Sequence, residues 1–353
     1  MTRKILVSAL AVLGVLLVAA AVLAPGQLRD SAVRVPGDFT QETVLAGTAS
    51  LLDRSSVMVP GPLKVEQGTE IRIDTTTAAE SRTEADDLVV RTEAKGVTGA
   101  GTEFHSAIDV VTVDPGTRIA VAAPESTMQA PAAATAKPTP ARTGTYWTFP
   151  ADTARADLPY FDTATLTPVT ARYLDADREI EGQQVLHFRF EVRDYDMAGS
   201  PANSQPARLP LPAAKWGLAG DEVLTMNLYY TLVQDMWVEP ETGSVLDTVV
   251  QPTSYFAAAP GDPNQVVVYA GELRFTPETV TALARSAQDG RDSLRLVFVY
   301  VPIGIAVVGG LLVLLAAYLA VRGRRRPGTG GGTAGPAPAA ATEDRPDPVT
   351  TGS

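Results

Sequence analysis

The sequence predicts a mainly β protein with minor α: a β-rich extracytoplasmic domain between N- and C-terminal transmembrane helices. Three observations predict it. Leu296 to Val321 is a run of 26 residues without one charged side chain, and Ile5 to Leu23 is a second uncharged run of 19. Between them, residues 24–295 are dominated by short Val-, Ile- and Thr-rich segments separated by turn residues, the pattern of strands rather than helices.

The later run sets the frame. At ~1.5 Å rise per residue it is about 39 Å long, enough to cross a hydrocarbon core of roughly 30 Å with some tilt. Arg322, Arg324, Arg325 and Arg326 follow at once. Basic clusters beside a span stay on the cytoplasmic side, which puts residues 322–353 inside. At the other end Arg3 and Lys4 precede the 5–23 run and hold residues 1–4 inside by the same rule. The 19-residue run is longer than the roughly 7–15 residues of a secretory signal's apolar core, and Pro25 follows the small residue Ala24. An uncleaved anchor is the favoured reading, with a cleaved signal as the alternative. The expected topology is a two-pass protein of the plasma membrane, both termini cytoplasmic and residues 24–295 outside.

Within the outer segment, Glu70-Ile-Arg-Ile-Asp74 and Asp87-Leu-Val-Val-Arg-Thr92 have period-two character. Phe104 to Val113 reads as a strand that turns at Asp114-Pro-Gly-Thr117 and resumes at Arg118-Ile-Ala-Val121. Residues 123–143 shift to Ala, Pro and Thr and read as a loop, as does the Pro-rich stretch 197–214. Between them, Gly182 to Asp196 gives the clearest strand: Leu186, Phe188, Phe190 and Val192 alternate with His187, Arg189, Glu191 and Arg193. Val223 to Val238 and Ser244 to Tyr255 flank Glu239-Pro-Glu-Thr-Gly243, a hairpin, and Val266 to Phe275 is a further strand. Thr276 then caps a helix with Pro277 at its first position. Gly290 is a candidate break before the membrane span. The tail after the arginines is Gly, Pro, Ala and Thr, a composition that does not fold alone.

Several landmarks, in order, carry a resemblance: Trp147-Thr-Phe-Pro150, Leu158-Pro-Tyr-Phe-Asp162, Gly182 through Phe190, Leu209-Pro-Leu-Pro212 with Lys215-Trp-Gly217, Trp237-Val-Glu-Pro-Glu-Thr-Gly243, and the closing helix and span. Together they resemble the actinobacterial PorA-like family of membrane proteins, a domain of unknown function sometimes labelled porin. The region around Asp114-Pro-Gly-Thr117 departs from the family pattern, which often has a longer turn followed by a cysteine. The resemblance implies an envelope membrane protein with a large outer domain, and it supplies no catalytic residues. A membrane-spanning β-barrel is disfavoured, because such barrels cross with lipid-facing strands rather than long apolar helices.

Composition excludes more. The outer segment carries 37 acidic against 22 basic residues, a net charge near −15, which repels nucleic acid and anionic membrane surfaces. Cysteine is absent, so thiolate metal sites and disulfides are too. His105 and His187 are the only histidines, too few for a histidine metal site, and no G-x-S-x-G accompanies them. Asp175, Asp177, Glu179 and Glu181 alternate like a calcium loop, but Ile180 stands where that turn needs glycine, so a solvated turn is the reading. Gly330, Gly332 and Gly335 match G-x-G-x-x-G inside the glycine-rich tail, with no strand before them. Ala306 and Gly310 make a small-xxx-small pair on the span. Leu209, Leu211, Trp216 and Leu218 form the one apolar stretch that reads as a loop, either closing a core edge or touching lipid.

No catalytic residue, cofactor or metal is expected. The leading expectation is a non-enzymatic envelope protein that binds or transfers a lipid or other apolar ligand. By architecture alone, two anchors flanking a β-rich exterior resemble class B scavenger receptors, whose outer domain encloses a lipid tunnel. The alternatives are a structural or assembly partner of other envelope proteins, and a porin-like function. A deep cavity in the outer domain separates the first from the second, for which an exposed apolar patch is the mark.

Overall fold

Alternation of apolar and polar residues over long segments, with Gly- and Pro-bearing turns between them, yields one very large antiparallel sheet. The structure, a computed structural model, describes residues 2–32, 34–123, 126–200, 203 and 206–324. The chain divides into two compact units, residues 1–21 with 304–353, and residues 22–303.

The larger unit begins in the C-terminal part of helix α1 (Thr2–Ala32) and then forms four long strands: β1 (Thr40–Leu52), β2 (Val65–Arg82), β3 (Leu88–Thr98) and β4 (Glu103–Val113). Two short strands follow inside the stretch expected as loop, β5 (Thr127–Gln129) and β6 (Lys137–Pro138), and they extend the sheet beyond β4. Next come β7 (Leu158–Asp162) and β8 (Thr167–Asp175), and then a small separate hairpin of β9 (Glu179–Ile180) and β10 (Gln183–Gln184). The last group is β11 (Leu186–Asp196), β12 (Arg208–Pro212), β13 (Val223–Val238), β14 (Val245–Ala257) and β15 (Val266–Phe275). β12 again lies within a stretch expected as loop. Helix α2 (Pro277–Arg295) continues through a π turn at Leu296–Tyr300 into α3 (Val301–Arg324). Thr276 caps α2 through its hydroxyl as expected, whereas Gly290 sits within the helix and does not break it.

The strand order is β6-β5-β4-β3-β2-β1-β15-β14-β13-β11-β8-β7, with β12 beside β13. β1 is the joint, pairing with β2 on one side and with β15 on the other, Leu45 opposite Phe275 and Leu51 opposite Tyr269. β4, third from one end of this order, is linked to β7 at the other end through single residues. Val113 bridges Ala120, the Ala120 amide donates to Gly144 O at 3.2 Å, and Thr145 bridges Tyr160 of β7. The sheet therefore curls on itself. The turn at Asp114 is formed as expected, its Oδ1 accepting from Gly116 N and Thr117 N, but the strand expected after it shrinks to that bridge at Ala120.

Burial follows the alternation. Leu186, Phe188, Phe190 and Val192 of β11 point into a core with Phe149, Met226, Leu228, Leu232, Met236 and Phe256. A second core gathers Leu88, Val90, Val111, Val113 and Tyr146, and a third packs Leu283, Ala284 and Ala287 of α2 on Leu246 and Val185. The outward faces of β2 and β3 carry Arg72, Asp74, Arg91, Glu93 and Lys95, ion-paired among themselves and with Glu80 and Glu103.

In the smaller unit, the described parts of α1 and α3 pack closely at two glycines. A Cβ on Gly14 would lie 2.6 Å from Gly309 O, and a Cβ on Gly309 would lie 2.7 Å from Gly14 O. Small residues let helix backbones approach this closely. Gly310, which the sequence pattern singles out, meets nothing within 4 Å. Among the described residues, Pro277–Arg322 forms one helical run long and apolar enough to cross a membrane, and Ser8–Leu23 is a shorter apolar one.

Candidate functional site

In the middle of β2 to β4, beyond the core of Leu88, Val90, Val111 and Val113, most of the inward residues are small. Across the ladder, Thr75 faces Ala94 and Ala107, Thr77 faces Thr92 and Asp109, and Ile73 faces Gly96 and His105. Side chains of this size cannot reach an opposite wall, and they leave a cavity of about 980 Å³ within the larger unit. That volume lies at the upper end of the roughly 300–1,000 Å³ of small-molecule sites. Leu45, Ile73, Phe104, Leu228, Leu232, Val250 and Leu273 form its apolar lining.

Its polar lining falls into two groups. Where it meets solvent, at the hairpin ends around residues 53–70 and 98–103, stand Asp53, Arg54, Glu66, Glu70 and Glu103. In its depth are Asp109, Tyr146, Asp162, Tyr230, Gln234, Ser254 and Tyr269. Asp109 is neutralised by Arg142, whose Nη1 and Nη2 donate to the two carboxylate oxygens at 2.7 and 2.5 Å with both side chains buried. Arg142 also lies over the Phe161 ring at 5.3 Å, so the 123–143 stretch is tied down at its end. Asp162 caps the turn after β7, its Oδ2 accepting from Thr165 N at 2.8 Å and Thr165 Oγ1 at 2.5 Å. Burial raises the Asp162 carboxyl above its ordinary value, only partly offset by those hydrogen bonds. His105 presents its surface to the cavity, and burial holds its imidazole below the usual value.

The family-bearing motifs turn out to hold one another. Glu239 is buried and accepts from Glu241 N, Thr242 N and Thr242 Oγ1, so it builds the hairpin turn instead of meeting a substrate. Gly243 has a φ of +73°, and a Cβ there would overlap Phe149 O, so this position requires glycine. Phe149 N and Thr148 Oγ1 both donate to Gly243 O at 2.8 Å, docking Trp147-Thr-Phe-Pro150 onto the hairpin. Arg118 locks the same junction by donating to Phe149 O at 2.8 Å and to Thr242 O, and burial lowers its guanidinium to about 10.

The remaining sequence candidates fall elsewhere. Trp216 is buried against Phe256, with Nε1 donating to Leu224 O at 3.2 Å, and Leu209, Leu211 and Leu218 pack on the same core. Of the two readings of that stretch, core edge or lipid contact, this packing fits the core edge: β12 pairs with β13, and its leucines lie partly buried on the core. His187 lies outside the cavity, stacked on Trp237 at 4.8 Å with Nε2 2.7 Å from Asp235 Oδ1; Arg189 Nε also donates to that oxygen and its Nη2 to Oδ2. Arg322 donates to Tyr318 Oη at 3.0 Å. The side chains of Arg3, Lys4 and Arg324, together with Arg325, Arg326 and the glycine motif of the tail, lie outside the described residues. Sequence reasoning missed the cavity residues. Their signal is the run of Thr, Ala and Gly at alternate positions of β2 to β4, where a solid core would need larger side chains.

Comparison with known proteins supplies the family. A family described as Porin PorA matches residues 7–318. A relative described as Porin PorA from Corynebacterium amycolatum is 24% identical, the alignment covering 52% of this chain and 53% of its own. The chain thus aligns with about half the length of that relative. A second, with the same description, from Corynebacterium resistens is 22% identical over 92% of this chain and 98% of its own. With the match running through nearly all of its length, the chain belongs to the Porin PorA family.

Proposed function

We propose that this chain is a non-enzymatic membrane protein of the cell envelope whose outer domain holds an apolar or amphipathic molecule. The cavity of about 980 Å³ carries this reading, because a stably folded sheet leaves so large a lined space only where its inward side chains are kept small. The charged outer face of β2 and β3 favours a domain that stands in water rather than in lipid, since a spanning barrel needs an apolar exterior band. Two passes, with both termini cytoplasmic, fit the close approach of Gly14 and Gly309. The test is mass spectrometry of the full-length protein released from its own membranes. Acyl-chain species retained at near one per protein support the reading; a well-folded protein that retains none removes it. Gly309→Leu separates the paired helices in disulfide-trapping experiments if both segments stay in the membrane.

A porin-like passage of solutes is the second reading, favoured by the description that both relatives share. Reconstitution into planar bilayers decides it. Conductance that disappears with Ala94→Trp in the cavity wall places the cavity on a solute path.

A further inference from the structure

The polar groups inside the cavity are not scattered. Tyr230, Ser254 and Tyr269 lie opposite one another on the neighbouring strands β13, β14 and β15, so that three hydroxyl-bearing residues line the cavity in one row across strands roughly 4.8 Å apart. The Tyr269 hydroxyl is enclosed and has no hydrogen-bond partner among the described residues. A buried hydroxyl left without a partner costs about 1–3 kcal/mol, so this one calls for a group brought by something else. Asp162 lines the same cavity as this row. Leu228, Leu232, Val250 and Leu273 flank the row and offer an apolar bed.

The charges restrict what fits. Among the described residues Asp162 has no basic partner, Asp109 is already matched by Arg142, and Arg54 at the solvent end is the one Lys or Arg in the lining. An anionic head group in the depth of this space meets carboxylates, with Arg54 left at the mouth. A hydroxyl, by contrast, accepts from a tyrosine and donates to a carboxylate at once. Resting on the reading of the cavity as a ligand site, we propose that its occupant is a long-chain amphiphile with an uncharged, hydroxyl-bearing head. The hydroxyls lie against Tyr230, Tyr269 and Asp162, and the chain lies along the leucines.

The experiment uses the full-length protein in nanodiscs and three photoreactive probes sharing one diazirine-bearing C16 chain: a glycerol monoester, the free carboxylic acid and the trimethylammonium. Adducts are mapped to peptides of β1 to β4 and β13 to β15. The monoester labels these strands most strongly. Tyr269→Phe, which removes only a hydroxyl without a partner among the described residues and keeps the fold, lowers its labelling about three- to tenfold, the worth of one hydrogen bond. Labelling by a head-group-free alkyl diazirine stays unchanged. Equal or stronger labelling by the acid or the ammonium overturns the inference about the head while leaving the cavity reading intact, as does a Tyr269→Phe protein that labels like the parent. Absence of cavity labelling by all the probes, the alkyl one included, overturns both.

Discussion

Strands β11 and β13 and strands β2 to β4 belong to one sheet and turn their concave faces into the same interior, yet they treat it differently. On the first pair the inward positions carry Phe188, Phe190, Val192 and Met236, and Phe149 stacks on Phe188 at 4.8 Å to close the space. On the second group Leu88, Val90, Val111 and Val113 fill one end, but the middle carries Thr92, Ala94, Gly96 and Ala107, and there the space stays open. Both patterns alternate correctly for a strand with one buried face. The difference shows that alternation sets which face is inside, whereas side-chain volume sets whether that inside is core or cavity.

Substitutions sharpen the contrast. Phe188→Ala, in the filled half, is expected to destabilise the domain by about 3–5 kcal/mol, measured by urea denaturation of the protein in nanodiscs. A loss under about 1 kcal/mol would show that this half is not close-packed. Asp109→Ala strands Arg142 as a buried charge and costs about 3–5 kcal/mol by the same measurement. In the open half, Ala94→Leu adds volume where there is room and changes stability by no more than about 1 kcal/mol. It abolishes chain binding, so the effects on folding and on ligand separate, as they cannot at Phe188.

The smallest effect expected is one of slope. Burial raises the folded carboxyl of Asp162, so the unfolded chain ionises first, near its ordinary value of about 3.9, and the folded protein loses stability as pH rises above that point. Asp162→Asn keeps an acceptor for Thr165 and removes this decline, so its advantage over the parent grows from about pH 4 upward. Parallel stability curves for the two proteins would show that Asp162 ionises freely.

Much of the molecule was legible in its residues. The strand at 186–196, the hairpin at 239–243, the Thr276 cap and the apolar run at the end all appear where local pattern puts them. The stretches 123–143 and 197–214 were less legible. Their Pro- and Ala-rich composition has no strand pattern, and β5, β6 and β12 exist because a neighbouring strand offers them its free edge. Trp216 read first as a core-edge residue and second as a lipid contact, and the ring of Phe256 against it fits the first.

The sequence by itself determined which segments are apolar enough to leave water, which are the long strands, which face of each is buried, and that residues 24–295 are acidic. These properties follow from a residue and its near neighbours. Tertiary structure alone decided that Val44 meets Thr279 across 235 positions, that Asp109 finds Arg142, that Gly309 rather than Gly310 touches Gly14, and that the curled sheet encloses a cavity. A threonine or alanine facing inward reads the same in sequence whether the opposite wall is near or far, and the distance to that wall is set by pairings between distant parts of the chain.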